Sequence, residues 1–307
     1  MIADLPDTML SPLAGYTDAG LRRLAKKYGC GLTVTEMVSA KALTYKNPNT
    51  LKLLFCDEDG KKSVQLFGSE PSVFAEVAKY DVLQDFDYID VNMGCPQRKI
   101  VSNGEGCALM KNPSLASKII KALKKNTDKP VSAKFRKGFG NQNTAVEFAK
   151  ALQDGGADFL TVHGRTSDQQ FSGKADWDVI ADVVAAVDIP VFANGDVVDE
   201  DSFKKVKAQT GCFGVAIGRG AIGKPYVFAQ IKGKPFEYDV ADALKEQVAT
   251  LKKIYADRVV ANDLKKHVAV ALKGMRDAKS VVVKVMAQTN TAAILSLVEE
   301  FLRQTQR

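Results

Sequence analysis

Cys95 and Cys107 stand twelve positions apart in VNMGCPQRKIVSNGEGCALM, residues 91–110. Cys95 is wedged between Gly94 and Pro96, directly after the apolar run YIDVNM (88–93). A thiol on so tight a turn is open to four roles: nucleophile, metal ligand, proton donor, or small buried residue. The five cysteines (Cys30, Cys56, Cys95, Cys107, Cys212) are odd in number, scattered, and contain no C-x-x-C pair. That argues against a disulfide framework and a structural zinc site. His163 and His267 are the only 2 histidines, too few for a His-based centre, and no metal is expected.

Further polar candidates fall where short β-branched or apolar runs end. The runs are TMLSPLA (8–14), LTVTEM (32–37), SVQLF (63–67), YIDVNM (88–93), PVSAKF (130–135), DFLTVHG (158–164), IPVFANGD (189–196) and FGVAIGRG (213–220). Between them lie segments with apolar residues at three-to-four spacing, several closing on Gly, as amphipathic helices do. The segment between the second and third runs is the least regular. Eight strands alternating with helices imply a parallel sheet. Eight such units predict a closed (β/α)8 TIM barrel over 1–232, in preference to a doubly wound open sheet. A Gly/Pro-bearing linker is expected at 233–240, and 241–307 reads as an all-α helical bundle.

Barrels of this type do chemistry at the C-terminal ends of their strands. Those ends carry Pro12, Leu13 and Ala14; Glu36; Gln65; Asn92 with Cys95; Lys134; His163 with Arg165; Asn194, Gly195 and Asp196; and Gly218 with Arg219. The glycine-bearing loops after strands seven and eight, with Arg219, suit a phosphate, which backbone N–H groups and a guanidinium would hold. Lys134 should point into the barrel mouth, where an ammonium needs negative charge. A reduced flavin offers it at its N1/C2-carbonyl edge; Glu36 or Asp90 would offer it as an ion pair. Gln65 can read a flavin's pyrimidine ring as donor and acceptor. His163 suits a phosphate, the flavin ring, or backbone groups, and its residue type does not choose.

Composition narrows the class. The chain has 307 residues, 46% hydrophobic and 26% charged, enough for a large core. No run approaches the ~18 apolar residues of a membrane span. The start, MIADLPDTML, lacks a basic-then-apolar signal, so a cytoplasmic protein is expected. Residues 241–307 carry 12 Lys and Arg against 7 Asp and Glu, whereas the first 240 carry 31 against 29. Most of the +7 net charge therefore sits in the tail, which points to a polyanionic partner.

In SPLAGYTD, GLTVTEMVSA, VQLFGSEP, DVNMGCPQRKI, GEGCALMKNP, HGRT, FANGDV and IGRGAIGKPYVF, the chain resembles the tRNA-dihydrouridine synthases, closest to the bacterial B-type. These stretches run in order from about residue 8 to 230. The resemblance implies FMN held by Pro12, Leu13, Ala14, Gln65, Lys134, His163, Asn194, Gly195, Asp196, Gly218 and Arg219, with NADPH as reductant. It implies hydride transfer from flavin N5 to uracil C6 and a proton from Cys95 to C5. The opening alternatives thus narrow to a proton donor, consistent with a free thiol that is mostly protonated below about pH 8.5. Cys107, where the family usually carries Ser or Ala, is expected to be structural.

The implied partner is tRNA, with Asn92, Lys99 and Arg165 placed for the base or its phosphates, and with the protein acting as a monomer. One departure is Ser167, where a basic residue commonly follows HGRT. Competing readings are a ribosomal RNA uridine reductase, a dihydroorotate-type dehydrogenase of free pyrimidines, and a non-catalytic RNA-binding barrel. A basic helical tail has no purpose for a small substrate, and NMGCP is not the usual loop of the dihydroorotate-type enzymes.

Overall fold

The computed structural model describes residues 4–305. Eight parallel strands form a closed ring: β1 (Thr8–Leu10), β2 (Leu32–Val34), β3 (Lys62–Phe67), β4 (Tyr88–Met93), β5 (Val131–Arg136), β6 (Phe159–His163), β7 (Val191–Asn194) and β8 (Gly214–Ile217). Each pairs with its sequence neighbours, and β8 closes on β1 through Thr8↔Val215, Met9↔Ala216 and Leu10↔Ile217. Val38–Ser39 prolongs the β2 edge and pairs with the end of β3. In the gap, the Thr35 hydroxyl accepts from Gln65 N at 3.0 Å.

Because successive strand residues face opposite sides, one parity of each strand meets the helices and the other fills the barrel. Val64, Leu66, Ile89, Val91, Ala133, Phe135, Leu160, Val162 and Ala193 join the core under the helices. Met9, Leu32, Val34, Tyr88, Phe159, Phe192 and Ala216 form a separate inner cluster. Gln65, Asn92, Lys134, His163 and Asn194 share the inner parity. This is a TIM barrel, as the alternation of patterns predicts.

The barrel's longer helices are α1 (Ala19–Lys27), α2 (Pro71–Val77), α3 (Pro113–Lys124), α4 (Ala145–Asp154), α5 (Trp177–Ala186) and α6 (Glu200–Thr210). Between β2 and β3 the helical signal is weak because there are two single turns, Ala40–Thr44 and Pro48–Lys52. Lys46 lies at φ 51°, and Pro48 disfavours helical conformation at Asn47.

Residues 233–240 pack against the barrel. Phe236 stacks on Tyr226 with centroids 4.7 Å apart, and Tyr28 meets Phe236 and Tyr238 edge-on. Tyr238 Oη donates to Gly223 O at 3.0 Å, and Tyr28 Oη donates to Glu237 O at 2.9 Å. The segment is laid along the barrel and delivers the chain to α7 (Val240–Leu251), α8 (Asp257–Ala271), α9 (Ala278–Met286) and α10 (Thr291–Thr305).

These four helices share an apolar core that includes Leu244, Leu264, Val285 and Phe301, and Ala19 of α1 belongs to it as well. α7 lies so close to α1 that a Cβ at Gly20 would stand 2.4 Å from Gln247 Cγ. Among the described residues no helix is long and apolar enough to cross a membrane.

Candidate active site

A cleft of about 730 Å³ opens at the C-terminal strand ends, within the ~300–1,000 Å³ usual for cofactor sites. Pro12, Leu13, Ala14, Gln65, Asn92, Cys95, Lys134, His163, Asn194, Gly195, Asp196, Gly218 and Arg219 all line it. Strand register explains the convergence: Asn92 is level with Lys134, Arg136 with His163, and His163 with Asn194.

The Cys95 turn is held by four hydrogen bonds from three residues. Asn92 Oδ1 accepts from Gly94 N at 3.2 Å and from Cys95 N at 2.9 Å. Cys107 N donates to Cys95 O at 3.0 Å, and Arg136 Nε donates to Gly94 O at 2.7 Å. A Cβ at Gly106 would stand 2.7 Å from Cys95 O, so glycine is required beside the turn. Burial pushes the Cys95 thiol up, outweighing the Gln97 N–H and the Arg136 and Lys134 charges that pull it down. Cys107 is fully buried and its thiol is pushed up to about 11, again by burial first.

The cleft is cationic. Lys134, Arg136, Arg219 and Lys273 line it, against the single carboxylate of Asp196. Asp90 spends its oxygens on Gln65 Nε2 at 2.7 Å and Ser132 Oγ at 2.6 Å, so among the described residues Lys134 has no carboxylate partner. Burial, then Arg136, pulls the Lys134 ammonium down to about 8. Burial and the charges of Lys134, Arg136, Arg165 and Arg219 hold His163 well below its ordinary value, so the imidazole is neutral. An unpaired ammonium, a neutral imidazole and two glycine-bearing loops fit a phosphate-bearing ring that gains negative charge on reduction, as a flavin does.

Four side chains sit otherwise than the sequence suggests. Arg165 does not reach the cleft: it is 1% exposed and acts as a strut. Its Nε donates to Ser172 O at 2.9 Å, and its Nη2 donates to Gly173 O at 2.6 Å and to Asp196 at 2.7 and 2.8 Å. Asp196 is correspondingly engaged, accepting also from Ala175 N at 2.7 Å and Arg219 Nη2 at 3.3 Å. Its carboxylate therefore orients arginines instead of facing a phosphate. Lys99 is exposed on the turn Arg98–Val101 and lies outside the cleft lining. Glu36 is not paired with Lys134 either; its carboxylate accepts from Gly15 N.

Two site residues were missed. Arg136 donates Nη1 to Thr166 O at 3.0 Å and to Gln170 O at 2.9 Å, tying the Cys95 turn to the loop after β6. That loop presents Phe171, over whose ring Arg219 and Arg136 lie at 5.1 and 5.7 Å. Arg136 was legible: it lies two residues beyond Lys134 on one strand and so shares its face. Phe171 follows no spacing rule. Ser167 is buried, with its hydroxyl accepting from Gly140 N at 2.8 Å, so this position is interior packing.

The family model described as "Dihydrouridine synthase (Dus)" matches residues 9–306. A protein named "Probable tRNA-dihydrouridine synthase" from Rickettsia conorii is 35% identical over 305 residues, covering 95% of this chain and 92% of that protein. "tRNA-dihydrouridine synthase B" from Pseudomonas aeruginosa is 33% identical over 315 residues, covering 98% and 95%. Among solved structures, 6-hydroxypseudooxynicotine amine oxidase from Pseudomonas geniculata N1 matches with a TM-score of 0.60 at 11% identity, over 76% of this chain and 48% of that one. A 2-naphthoyl-CoA reductase complex matches at 0.56 and 12%, over 74% and 48%. These two likenesses bear on the fold alone. With the family model spanning nearly the whole chain, this protein belongs to the dihydrouridine synthase (Dus) family, flavin-dependent enzymes built on a TIM barrel.

Proposed function

We propose that the chain is an FMN-dependent tRNA-dihydrouridine synthase that reduces the C5–C6 bond of specific uridines, with NADPH as electron source. The observation that carries this is a half-buried thiol, pushed up by burial, fixed on the rim of a cationic cleft on a turn secured from both flanks. FMN, when bound, supplies the hydride, taken from NADPH and delivered to C6 of uracil. The chain's own groups do the rest. Lys134 and His163 would hold the ring, and Arg219 with the loops at Gly195 and Gly218 would hold the phosphate. Cys95 Sγ holds the proton for C5. A uracil inside a stack cannot reach this cleft, so the target base must be splayed out of folded RNA. Mapping dihydrouridine across tRNA and rRNA from a strain lacking the gene tests the substrate class. Loss confined to rRNA, or no loss, would overturn the tRNA reading.

Arg219→Ala should weaken FMN binding about 10- to 100-fold, because a hydrogen bond to a charged group contributes about 1.5–3 kcal/mol. Riboflavin, which has no phosphate, should bind wild type and variant alike. Fluorescence titration checks both, and equal losses for the two flavins would remove Arg219 from the phosphate.

We assign the RNA grip to residues 241–307, with catalysis in 1–232, in a cytoplasmic monomer. Of the tail's lysines, Lys252 is paired with Asp257 at 2.6 Å, Lys253 with Asp57 at 2.8 Å and Lys266 with Asp263 at 2.7 Å. Among the described residues Lys273, on the cleft rim, has no ion pair, Arg276, 94% exposed at its side chain, meets Asp277 only at 3.6 Å, and Lys265 meets an amide, at Asn262. Replacing Lys265, Lys273 and Arg276 with Ala together should weaken tRNA binding. It should also flatten the slope of log affinity against log salt by about 2–3, as three phosphate contacts are lost. An unchanged slope would place the RNA elsewhere.

A further inference from the structure

We propose that Asp90 is a positioning residue for the Cys95 turn, acting through the side-chain amides of Gln65 and Asn92. This rests on the reading of Cys95 as proton donor. The chain of contacts is continuous. Ser132 Oγ donates to Asp90 Oδ1 at 2.6 Å, and Gln65 Nε2 donates to Asp90 Oδ2 at 2.7 Å. Asn92 Nδ2 donates to Gln65 Oε1 at 2.8 Å, and Asn92 Oδ1 accepts from Cys95 N at 2.9 Å and Gly94 N at 3.2 Å. Asp90 and Gln65 are 5% and 1% exposed, so solvent cannot substitute for a lost partner.

The two ends of this chain have fixed polarity. Burial pushes Asp90 up to about 6, so at neutral pH it is mainly an ionised carboxylate, which only accepts, and backbone N–H groups only donate. Each side-chain amide between them has one orientation that satisfies both neighbours, and turning either one sets donor against donor. The carboxylate at one end thus dictates that Asn92 turns its oxygen toward Cys95 N. It also dictates which edge of Gln65 faces the cleft. Asn92 follows Asp90 by two residues and Gln65 is level with Asp90 on the neighbouring strand, so the relay is built into the barrel register.

Two variants separate this role from a counter-charge for Lys134. Asp90→Leu removes the acceptor and frees Gln65 to turn over. Asp90→Asn loses the charge but keeps an acceptor toward Gln65, because its N–H can be directed at the Ser132 hydroxyl. The readout is the alkylation rate of Cys95 by iodoacetamide, followed by peptide mass spectrometry, with buried Cys107 as internal reference. Asp90→Leu should raise the rate about five- to tenfold, the effect of releasing one hydrogen bond of about 1 kcal/mol. Asp90→Asn should stay within about twofold of wild type.

Turnover on tRNA should separate the same pair. The kcat of Asp90→Leu should lie at least about tenfold below that of Asp90→Asn at similar KM, since a misplaced acid slows chemistry and leaves binding alone. If Asp90→Leu does not give a cooperative thermal transition, Ser132→Ala combined with Asp90→Asn replaces it. There the introduced amide has no serine to turn toward, and the alkylation rate should rise as for Leu. Equal effects of Leu and Asn would mean that charge, not polarity, matters, and wild-type rates in all variants would reduce Asp90 to packing. Either result overturns the proposal. Because alkylation needs no substrate, a failure of the tRNA assignment would appear in turnover alone.

Discussion

Cys95→Ala is expected to leave flavin reduction by NADPH at its wild-type rate and to slow uridine reduction by about 10²–10⁴, the range for a lost general acid. The turn at Gly94 and Cys95 is held by backbone contacts, so removing the sulfur takes the proton without moving the turn. Cys107→Ala should change uridine reduction by less than about threefold, the scale of a buried, non-reacting site. Stopped-flow traces of the two half-reactions distinguish the roles, and the reverse pattern would exchange them.

The pH dependence follows from the direction of the shift. Burial raises the Cys95 thiol above its ordinary value. Its acid form persists through neutrality, and the rate should fall only once pH passes beyond the ordinary thiol range near about 8.5. A rate that rises with pH across that range would point to a thiolate.

The second large effect is on stability, at the seam between barrel and tail. Asp18 is partly buried at the N-cap of α1, 13% exposed at its side chain, with its carboxylate accepting from Leu21 N at 2.9 Å. From the tail, Gln247 Nε2 donates to it at 3.0 and 3.2 Å and His267 Nε2 at 3.0 Å. Burial alone would raise Asp18, but the hydrogen bond and charge of His267, with Leu21 N–H and Gln247, bring it below its ordinary value. His267→Leu should therefore cost about 1–3 kcal/mol, the penalty when a largely shielded carboxylate loses one hydrogen-bond partner and keeps Leu21 N and Gln247.

The sign of its pH dependence is fixed. A depressed carboxylate contributes stability above its unfolded pKa, near about 3.9, and loses it as pH falls through the lower folded value. The gap between wild type and variant should thus be full at neutral pH and narrow toward pH 3. Urea unfolding at both pH values measures it. A pH-independent gap would assign the effect to lost packing. Truncation near Asp239 would expose Ala19 and take Gln247 and His267 away from Asp18.

How much of this was legible depended on distance along the chain. Strand ends and inward parity are local properties, so Gln65, Lys134, His163 and Asn194 could be placed from periodicity, and the NMGCP turn carried its own signature. The roles of Arg165 and Asp196 were not legible, because two polar residues at adjacent strand ends can face a ligand or each other. Only the 2.7 Å contact decides. His267 and Asp18 are separated by 249 positions, and no pattern in either segment announces the pair. The packing of 233–240 was not legible for a related reason: Phe236 and Tyr238 of this segment meet Tyr28 and Tyr226, which lie outside it.

The most direct test is to incubate purified, flavin-loaded protein anaerobically with an unmodified tRNA transcript and NADPH, then digest the RNA and quantify nucleosides by mass spectrometry. The account predicts dihydrouridine in the wild-type reaction and little or none with Cys95→Ala, both proteins having consumed the first equivalent of NADPH. Reduced flavin without dihydrouridine in the wild-type reaction, or equal dihydrouridine in both, would contradict it.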